Sequence, residues 1–425
     1  MRRLLIAIIC FIFIFSLTGC YDAREISSYA FVISVGVDYG VTDRWRLTFQ
    51  IPDFGSESGG GGQSSGQSGG SLKYRVMTID APSFYAGVNL INTNTPRRLN
   101  FEHVHAFAFS EEIARSGDLG VIITPLVRFW EIRRSTNIII CKGSAMDFIN
   151  ANQPYIGGTV SKTIQDLVEE SRDNGFFPET TLGDLYDGIK SMYKQPIAIY
   201  GAINTGDKFV KNGPNYQGEN KRTGGYYAGD VPRKGGNNIE LVGCIIADGD
   251  KEIGELTGLE TRFMLMLNGK FKRGIFSIPD PEKEKTVIPV EIHMRRKPEI
   301  SANMTGGKAN IHAKVVLDAN IMAIQSSINY ETSPKLKELE QYTAGLIKTE
   351  MDKLVKKCQD LKCDVLGFGR TVVKCFIWNT VDEWEQYKWL EQFSSAQITT
   401  EVEVKIRHTG TLIGSSPILS TKGEE

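Results

Sequence analysis

In the stretch RWRLTFQI, Trp45, Leu47, Phe49 and Ile51 alternate with Arg44, Arg46, Thr48 and Gln50. A period of two predicts a strand with one face on a core and the other in water. Residues 30–38 (AFVISVGVD) are apolar almost throughout and read as a buried strand. Residues 55–70 (GSESGGGGQSSGQSGG) can bury nothing and behave as flexible chain. LKYRVMTID then resumes the strand pattern, so a hairpin with a lengthened tip is expected, at little extra cost in closure entropy. Residues 82–94 predict a helix, and the second half of RRLNFEHVHAFAFS a strand. Ser110 is placed to cap a short helix with Glu111 and Glu112 in its first turn and Gly117 as its stop. In LGVIITPLVRFW, Leu119, Ile122, Ile123, Leu126, Val127 and Trp130 share one helical face, with Pro125 starting or bending the helix. TNIIIC is the next strand.

Residues 155–200 carry a weaker helical pattern, and 201–238 mix glycines, lysines and tyrosines with little periodicity. The second stretch predicts a long irregular connection and a boundary. A further module opens with the strand IELVGCIIA and the turn DGDKEIG. Thr257 and Glu260 form a capping box ahead of Phe263, Met266 and Leu267, and Gly269 closes that helix. Strands are expected at KRGIFSI, KTVIPVEIHM and NIHAKVVLDANI. A helix of nearly 30 residues starts at Ser333 and Pro334, turning Leu336, Leu339, Leu346, Ile347, Leu354 and Leu361 inward. After DVLGFG comes a helix with Trp384, Trp389 and Phe393, then the strand TTEVEVKIR with Val402, Val404 and Ile406 inward. Clustered strands with single helices between them predict an α+β, multi-domain fold with largely antiparallel mixed sheets. The expected division is a signal segment at 1–19, an N-terminal α+β domain at 20–155, a middle region at 156–238, a C-terminal α+β domain at 239–410 and a tail at 411–425.

The first residues decide the compartment. Arg2 and Arg3 precede an uncharged run of about 14 residues, which as a helix rises roughly 21 Å. A membrane core of roughly 30 Å wants about 20 residues. A basic start, a short apolar stretch and a small-residue end describe a secretory signal peptide. Its end, LTGC at 17–20, resembles a bacterial lipobox. Cys20 is therefore expected to become the first residue of the processed chain, its sulfur carrying a diacylglyceryl group and its new amino terminus open to a further acyl chain. Two lipid signals hold a protein stably, where one does so only reversibly.

The 425 residues carry 49 basic and 50 acidic side chains. Removing Arg2 and Arg3 leaves 47 against 50, a formal charge near −3. That balance speaks against nucleic acid, and membrane contact is expected from the lipid on Cys20 rather than from a polybasic patch. Of seven cysteines, Cys10 lies in the signal segment and Cys20 is the lipid site. Cys141, Cys244, Cys358, Cys363 and Cys375 lack CxxC spacing, which fits small buried thiols better than a zinc site or a disulfide framework. A single bridge between Cys358 and Cys363 is the alternative.

No reaction chemistry stands out. His103 and His105 lie two apart on the predicted strand, on a face shared with Phe107 and Phe109, so packing outweighs a metal role. His293, His312 and His408 are isolated. GxSxG spacing occurs at 62–66 and 66–70, inside the low-complexity Gly/Ser run and without the strand-turn-helix context of a nucleophile elbow, and no GxxxxGK[ST] loop occurs. No catalytic, cofactor or metal residue is assigned. The aromatic run Trp378, Trp384, Tyr387, Trp389 and Phe393 reads first as core packing and second as a partner patch.

LTGCYDAREISSYAFVISVGVD resembles the start of the Ger(x)C family, the C-subunit lipoproteins of spore germinant receptors. Cys20, Tyr21-Asp22, Arg24-Glu25 and Gly36-Val37-Asp38 stand at its lipid cysteine, aromatic-Asp, Arg-Glu and Gly-x-Asp positions. Further similarity lies at 97–117, at LVRFWEIR (126–133), GELTGLETRFMLMLNGK, DVLGFG, the Trp384/Trp389/Phe393 segment and VEVKIRHTG. Tyr21 departs from the family's usual tryptophan, and 55–70 and 201–238 look like insertions. The resemblance implies a three-domain α+β protein without enzymatic activity on the outer face of the spore inner membrane. It would act there with a membrane-embedded A subunit and a transporter-like B subunit in nutrient germination. It assigns no germinant ligand residue. A solute-binding lipoprotein and a cell-wall-active envelope enzyme are the alternatives.

Overall fold

The computed structural model describes residues 25–53, 73–153, 160–209, 224–283, 285–326, 328–376 and 381–410, together with Arg2 and Ser415. Cys20, most of the signal segment, the Gly/Ser stretch and nearly all of the tail fall outside them. The chain opens with β1 (Tyr29–Phe31), β2 (Ser34–Tyr39), β3 (Trp45–Asp53), β4 (Lys73–Ala81), α1 (Phe84–Ile91), β5 (Arg98–Asn100) and β6 (Ala106–Ser110). Next come α2 (Glu111–Ser116), α3 (Leu119–Arg128), β7 (Asn137–Cys141), α4 (Ala145–Ala151), α5 (Val160–Asn174), α6 (Leu182–Ile189), β8 (Ile197–Ile203), β9 (Ile239–Asp248) and β10 (Lys251–Leu256).

Eight of these strands form one sheet in the order β10-β9-β8-β7-β6-β2-β3-β4. Its centre, β8-β7-β6-β2, is parallel, and both flanks are antiparallel. Parallel strands are covered on both faces. Phe107, Phe109, Ile138 and Ile140 pack beneath α1, α2, α3 and α6, while Ala106, Ala108, Ile139 and Cys141 pack beneath α4 and α5. β3 and β4 pair antiparallel as expected, out to Asp53 opposite Lys73.

The second half adds α7 (Gly258–Leu267), β11 (Arg273–Pro279), β12 (Val287–Met294), β13 (Glu299–Thr305), β14 (Lys308–Ile321) and α8 (Ser333–Asp360). It ends with α9 (Gly369–Val372), α10 (Val381–Tyr387), α11 (Trp389–Gln392) and β15 (Gln397–His408). β14 is the spine of a second sheet: β12 and β13 pair with its two halves, and β15 runs parallel to it. A parallel neighbour needs a long crossover, and the 28-residue α8 is part of it. Leu339, Ile347, Met351 and Leu354 of α8 bury against Val404 and Ile406. Gly306 and Gly307, with φ of 58° and 77°, make the two-residue turn between β13 and β14.

Mixed α+β architecture is thus what the chain adopts, with local corrections. The apolar run 30–38 is two strands, separated where the amide of Val32 turns to the carbonyl of Asn100 and that of Ile33 to Gln50. The outer face of β3 is not wet: Thr48 and Gln50 are fully buried, and the Gln50 amide donates to the carbonyls of Ile149 and Asn152 beneath α4. Helix α3 ends at Arg128, so Trp130 falls beyond its buried face and is 77% exposed. The long helix begins one residue earlier than expected, with Thr332 rather than Ser333 as cap and Ser333 rather than Pro334 as first helical residue. β9, the expected start of a separate module, hydrogen-bonds to β8, so the first sheet continues past the connection 204–238. Strands β8 and β10 lay hidden in segments read as weakly helical or turn-like, and β13 in a segment given no element.

Candidate functional site

The stretches that carry the family resemblance turn out to hold buried polar groups. Within β2, Gly36 lies against α4: a Cβ there would sit 3.0 Å from the Ala145 carbonyl oxygen. Two residues on, the Asp38 carboxylate accepts from the amides of Ala145 and Met146 at 2.7 and 2.8 Å. Burial pushes the Asp38 carboxyl up, and those two N–H groups pull it back. The carboxyl ends of parallel strands are where open sheets bind ligands. Here the chain's own carboxylate fills that position at the start of α4.

Thr257 and Glu260 form the expected reciprocal capping box of α7. On that helix Arg262 is 1% exposed and forms no ion pair with a carboxylate among the described residues. It donates from Nε to the Asn174 carbonyl at 2.7 Å and from Nη1 to that of Ile275 at 2.8 Å. Its guanidinium lies 3.7 Å from the centre of the Phe176 ring and 4.6 Å from that of Phe276. Burial lowers its pKa to about 9. The carbonyl of Asn174 closes α5, so the cation faces the negative end of a helix.

DVLGFG forms a similar hub. Asp364 is fully buried and accepts from the amides of Gly367, Phe368 and Gly369 and from the Trp389 indole N–H at 2.9 Å. Burial pushes its carboxyl up, against these four donors. Gln195, just ahead of β8, brackets the same turn: its amide N–H reaches the Asp364 carbonyl and its side chain the Lys362 carbonyl. Trp384, Trp389 and Phe393 are buried in the core of the second half, so the packing reading holds for them; Trp378 lies outside the described residues. Cys141, Cys244, Cys358 and Cys363 are free, buried thiols, and Cys375 is free and half-buried. Burial pushes the first four upward, Cys244 to about 12.

His103 and His105 precede β6 rather than lying on it, because pairing with β7 begins at Ala106. They line a polar cleft of about 310 Å³ with Arg133, Gln165 and the Arg172–Glu179 ion pair. Burial and the charges of His103 and Arg133 hold His105 below the ordinary histidine range. Among the described residues no cluster of His, Cys, Asp or Glu suits a metal ion.

Beside this cleft is a surface that periodicity missed. Phe129 packs against Tyr85 at 5.2 Å and leads to the exposed Trp130. The Tyr85 hydroxyl donates to the Pro125 carbonyl. Arg134 and Lys190 stack over Tyr186, and Arg134 also pairs with Asp187 at 2.7 Å. Arg128, Arg133 and Arg134 are exposed. In the sequence Trp130 reads as part of the buried helical face, so no signal there pointed to this surface.

Known proteins resemble the chain over both halves. A family described as "Spore germination protein N-terminal domain" matches residues 22–203, and one described as "Spore germination B3/ GerAC like, C-terminal" matches residues 243–410. Spore germination protein KC of Bacillus subtilis (strain 168) is 22% identical over 422 residues, spanning 96% of each chain. Spore germination protein B3 of the same organism is 22% identical over 410 residues, covering 95% of this chain and 97% of the relative. The crystal structure of the GerBC protein superposes with a TM-score of 0.50 at 15% identity, over 91% of this chain and 99% of that one.

Proposed function

The chain belongs to the Ger(x)C family of spore germination proteins, and from that premise we propose that it is the lipid-anchored C subunit of a nutrient germinant receptor. The end-to-end match to named spore germination proteins carries this reading. The family is one of germination proteins, not of enzymes. The subunit acts through contacts with membrane-embedded A and B subunits on the outer face of the spore inner membrane, and catalyses nothing itself. Cys20 holds it there through lipid. Among the described residues no helix is long and apolar enough to cross a membrane, which is compatible with such a tether. Confinement to a thin layer raises effective concentration, so modest interfaces to its partners suffice.

Cys20→Ala tests the tether. Spores carrying it should lose nutrient germination while keeping normal germination by a route that bypasses nutrient receptors. Normal protein level with undiminished nutrient response would refute tethering as the mechanism. Co-purification with the membrane proteins encoded beside it tests the partners.

A further inference from the structure

We propose that the basic and aromatic surface around Trp130 faces the bilayer and rests on anionic lipid headgroups. The proposal builds on the lipid anchor at Cys20 and adds which side of the fold meets the membrane. Glu25, where the continuous described chain begins, is five residue steps from Cys20, a reach of at most about 18 Å when extended. From there the chain passes Ile26, 78% exposed, and β1, then turns into β2 at the end of the sheet where its parallel strands start. At this end the amide of His105 donates to the Ile33 carbonyl and that of Asn137 to the His105 carbonyl. Trp130, Arg133 and Arg134 lie immediately before β7, at the same end. Phe101, one residue past β5, donates its amide to Glu131, and β5 pairs with β1. The entering chain and the Trp130 segment are therefore neighbours, and a lipid on Cys20 would hold both close to the headgroups.

The chemistry of the surface suits that occupant. Tryptophan and tyrosine favour the boundary between acyl chains and headgroups, with an apolar ring and a polar edge. Trp130, Tyr85 and Tyr186 supply three such rings, and Arg128, Arg133 and Lys190 supply positive charge beside them. Arg97 and Arg98, exposed at β5, extend the charge toward β1. The acidic groups nearby are partly engaged: Asp187 is paired with Arg134, Glu179 with Arg172, and Glu131 is buried against the Phe101 amide, while Glu25, Glu102 and Glu169 are exposed. The near-zero charge of the whole chain conceals this cluster of exposed cations around Trp130. The surface thus supplements the lipid, contrary to the expectation that lipid alone makes the membrane contact.

The test reconstitutes the processed, lipidated chain into phosphatidylglycerol vesicles whose acyl chains carry bromine near the carbonyl. Both chains carry Trp378→Phe, and Trp45, Trp384 and Trp389 are buried, so bromine should quench the component of emission that Trp130→Phe removes, and leave the emission of the chain without Trp130 unchanged. Equal emission in brominated and plain vesicles overturns the proposal. A second arm uses the Cys20→Ser chain, which needs no lipid of its own. It should partition onto phosphatidylglycerol vesicles but not phosphatidylcholine ones, and lose about 5-fold for each of Arg128→Ala and Arg133→Ala. Equal partition onto both vesicles, or none, overturns the proposal. Mass spectrometry showing a free Cys20 thiol would instead sink the lipoprotein reading, leaving the second arm to decide the surface. A photoreactive residue at position 130 that cross-links to polypeptide rather than lipid in spore membranes also overturns it, in favour of a protein partner.

Discussion

Replacing Asp364 with asparagine changes one atom at the most connected buried group of the second half. The two carboxylate oxygens share four donors, with Gly367 and Phe368 on Oδ1 and Gly369 and the Trp389 indole on Oδ2. An asparagine keeps one oxygen and turns an NH2 group toward the other two donors. Each buried donor left without an acceptor costs about 1–3 kcal/mol. Two of them amount to about 2–6 kcal/mol, and relief of the desolvation that burdens the ionised carboxylate brings the expected loss to about 2–4 kcal/mol. Urea unfolding of the processed chain, followed by tryptophan fluorescence and by circular dichroism, measures it. Trp389→Phe removes one donor and should cost about 1–2 kcal/mol alone. In the double variant the two losses should fall short of additive by about 1 kcal/mol, because the asparagine no longer opposes an indole N–H. A loss below about 1 kcal/mol for Asp364→Asn, or strict additivity with Trp389→Phe, would refute the four-donor account.

Glu252 pairs with Arg115 at 3.4 Å, and burial lifts its pKa from 4.5 to about 7, with the neighbouring Glu111 adding to the rise. The folded state therefore binds its proton more tightly than the unfolded chain. Its stabilising share is complete below about pH 4.5 and is lost as pH rises through about 7, at no more than about 1.4 kcal/mol per pH unit. Glu252→Gln should flatten urea-unfolding stability across that window and exceed the parent above it; an unchanged slope would refute this. Gly36→Ala would bring a methyl 3.0 Å from the Ala145 carbonyl oxygen and 3.1 Å from Ile149, and should lower stability by about 1–3 kcal/mol in the same assay. Arg262→Lys keeps the charge but cannot span the Asn174 and Ile275 carbonyls between two rings. Thermal melts should show a loss comparable to Arg262→Met, about 2–4 kcal/mol, and a fully stable lysine variant would refute the fork geometry.

What was legible in the sequence was local. The Thr257–Glu260 capping box, the Gly117 stop and the β3–β4 hairpin depend on residues close together or on a strict period, and they form as read. β13 was missed although EISANMT alternates strictly: its apolar face is only Ile300, Ala302 and Met304, half-buried and without β-branched or aromatic residues beyond Ile300. β10 was missed because KEIGEL reads as the turn that precedes it. Trp130 was misplaced because the helical period cannot say where a helix stops. Its backbone leaves the helix after Arg128 as the chain turns to bring Glu131 to the Phe101 amide. The surface around it draws on segments from Tyr85 to Lys190, which only the sheet brings together. No window along the chain contains it, and a whole-chain charge sum averages it away.

The resembling stretches hold Asp38, Arg262 and Asp364, which spend most of their polar atoms on the protein's own backbone. A buried charge satisfied by fixed N–H or carbonyl groups tolerates few replacements, because losing either side strands the other in low dielectric. Such residues keep a recognisable spelling for the sake of the fold alone. Surfaces that meet a bilayer or a tethered partner face a looser demand. Any exposed aromatic ring beside a few arginines can rest on headgroups, and a partner confined to the same layer needs only a modest contact. In a chain of this design the legible motifs therefore point inward, and function has to be sought on the faces that the motifs leave unspelled.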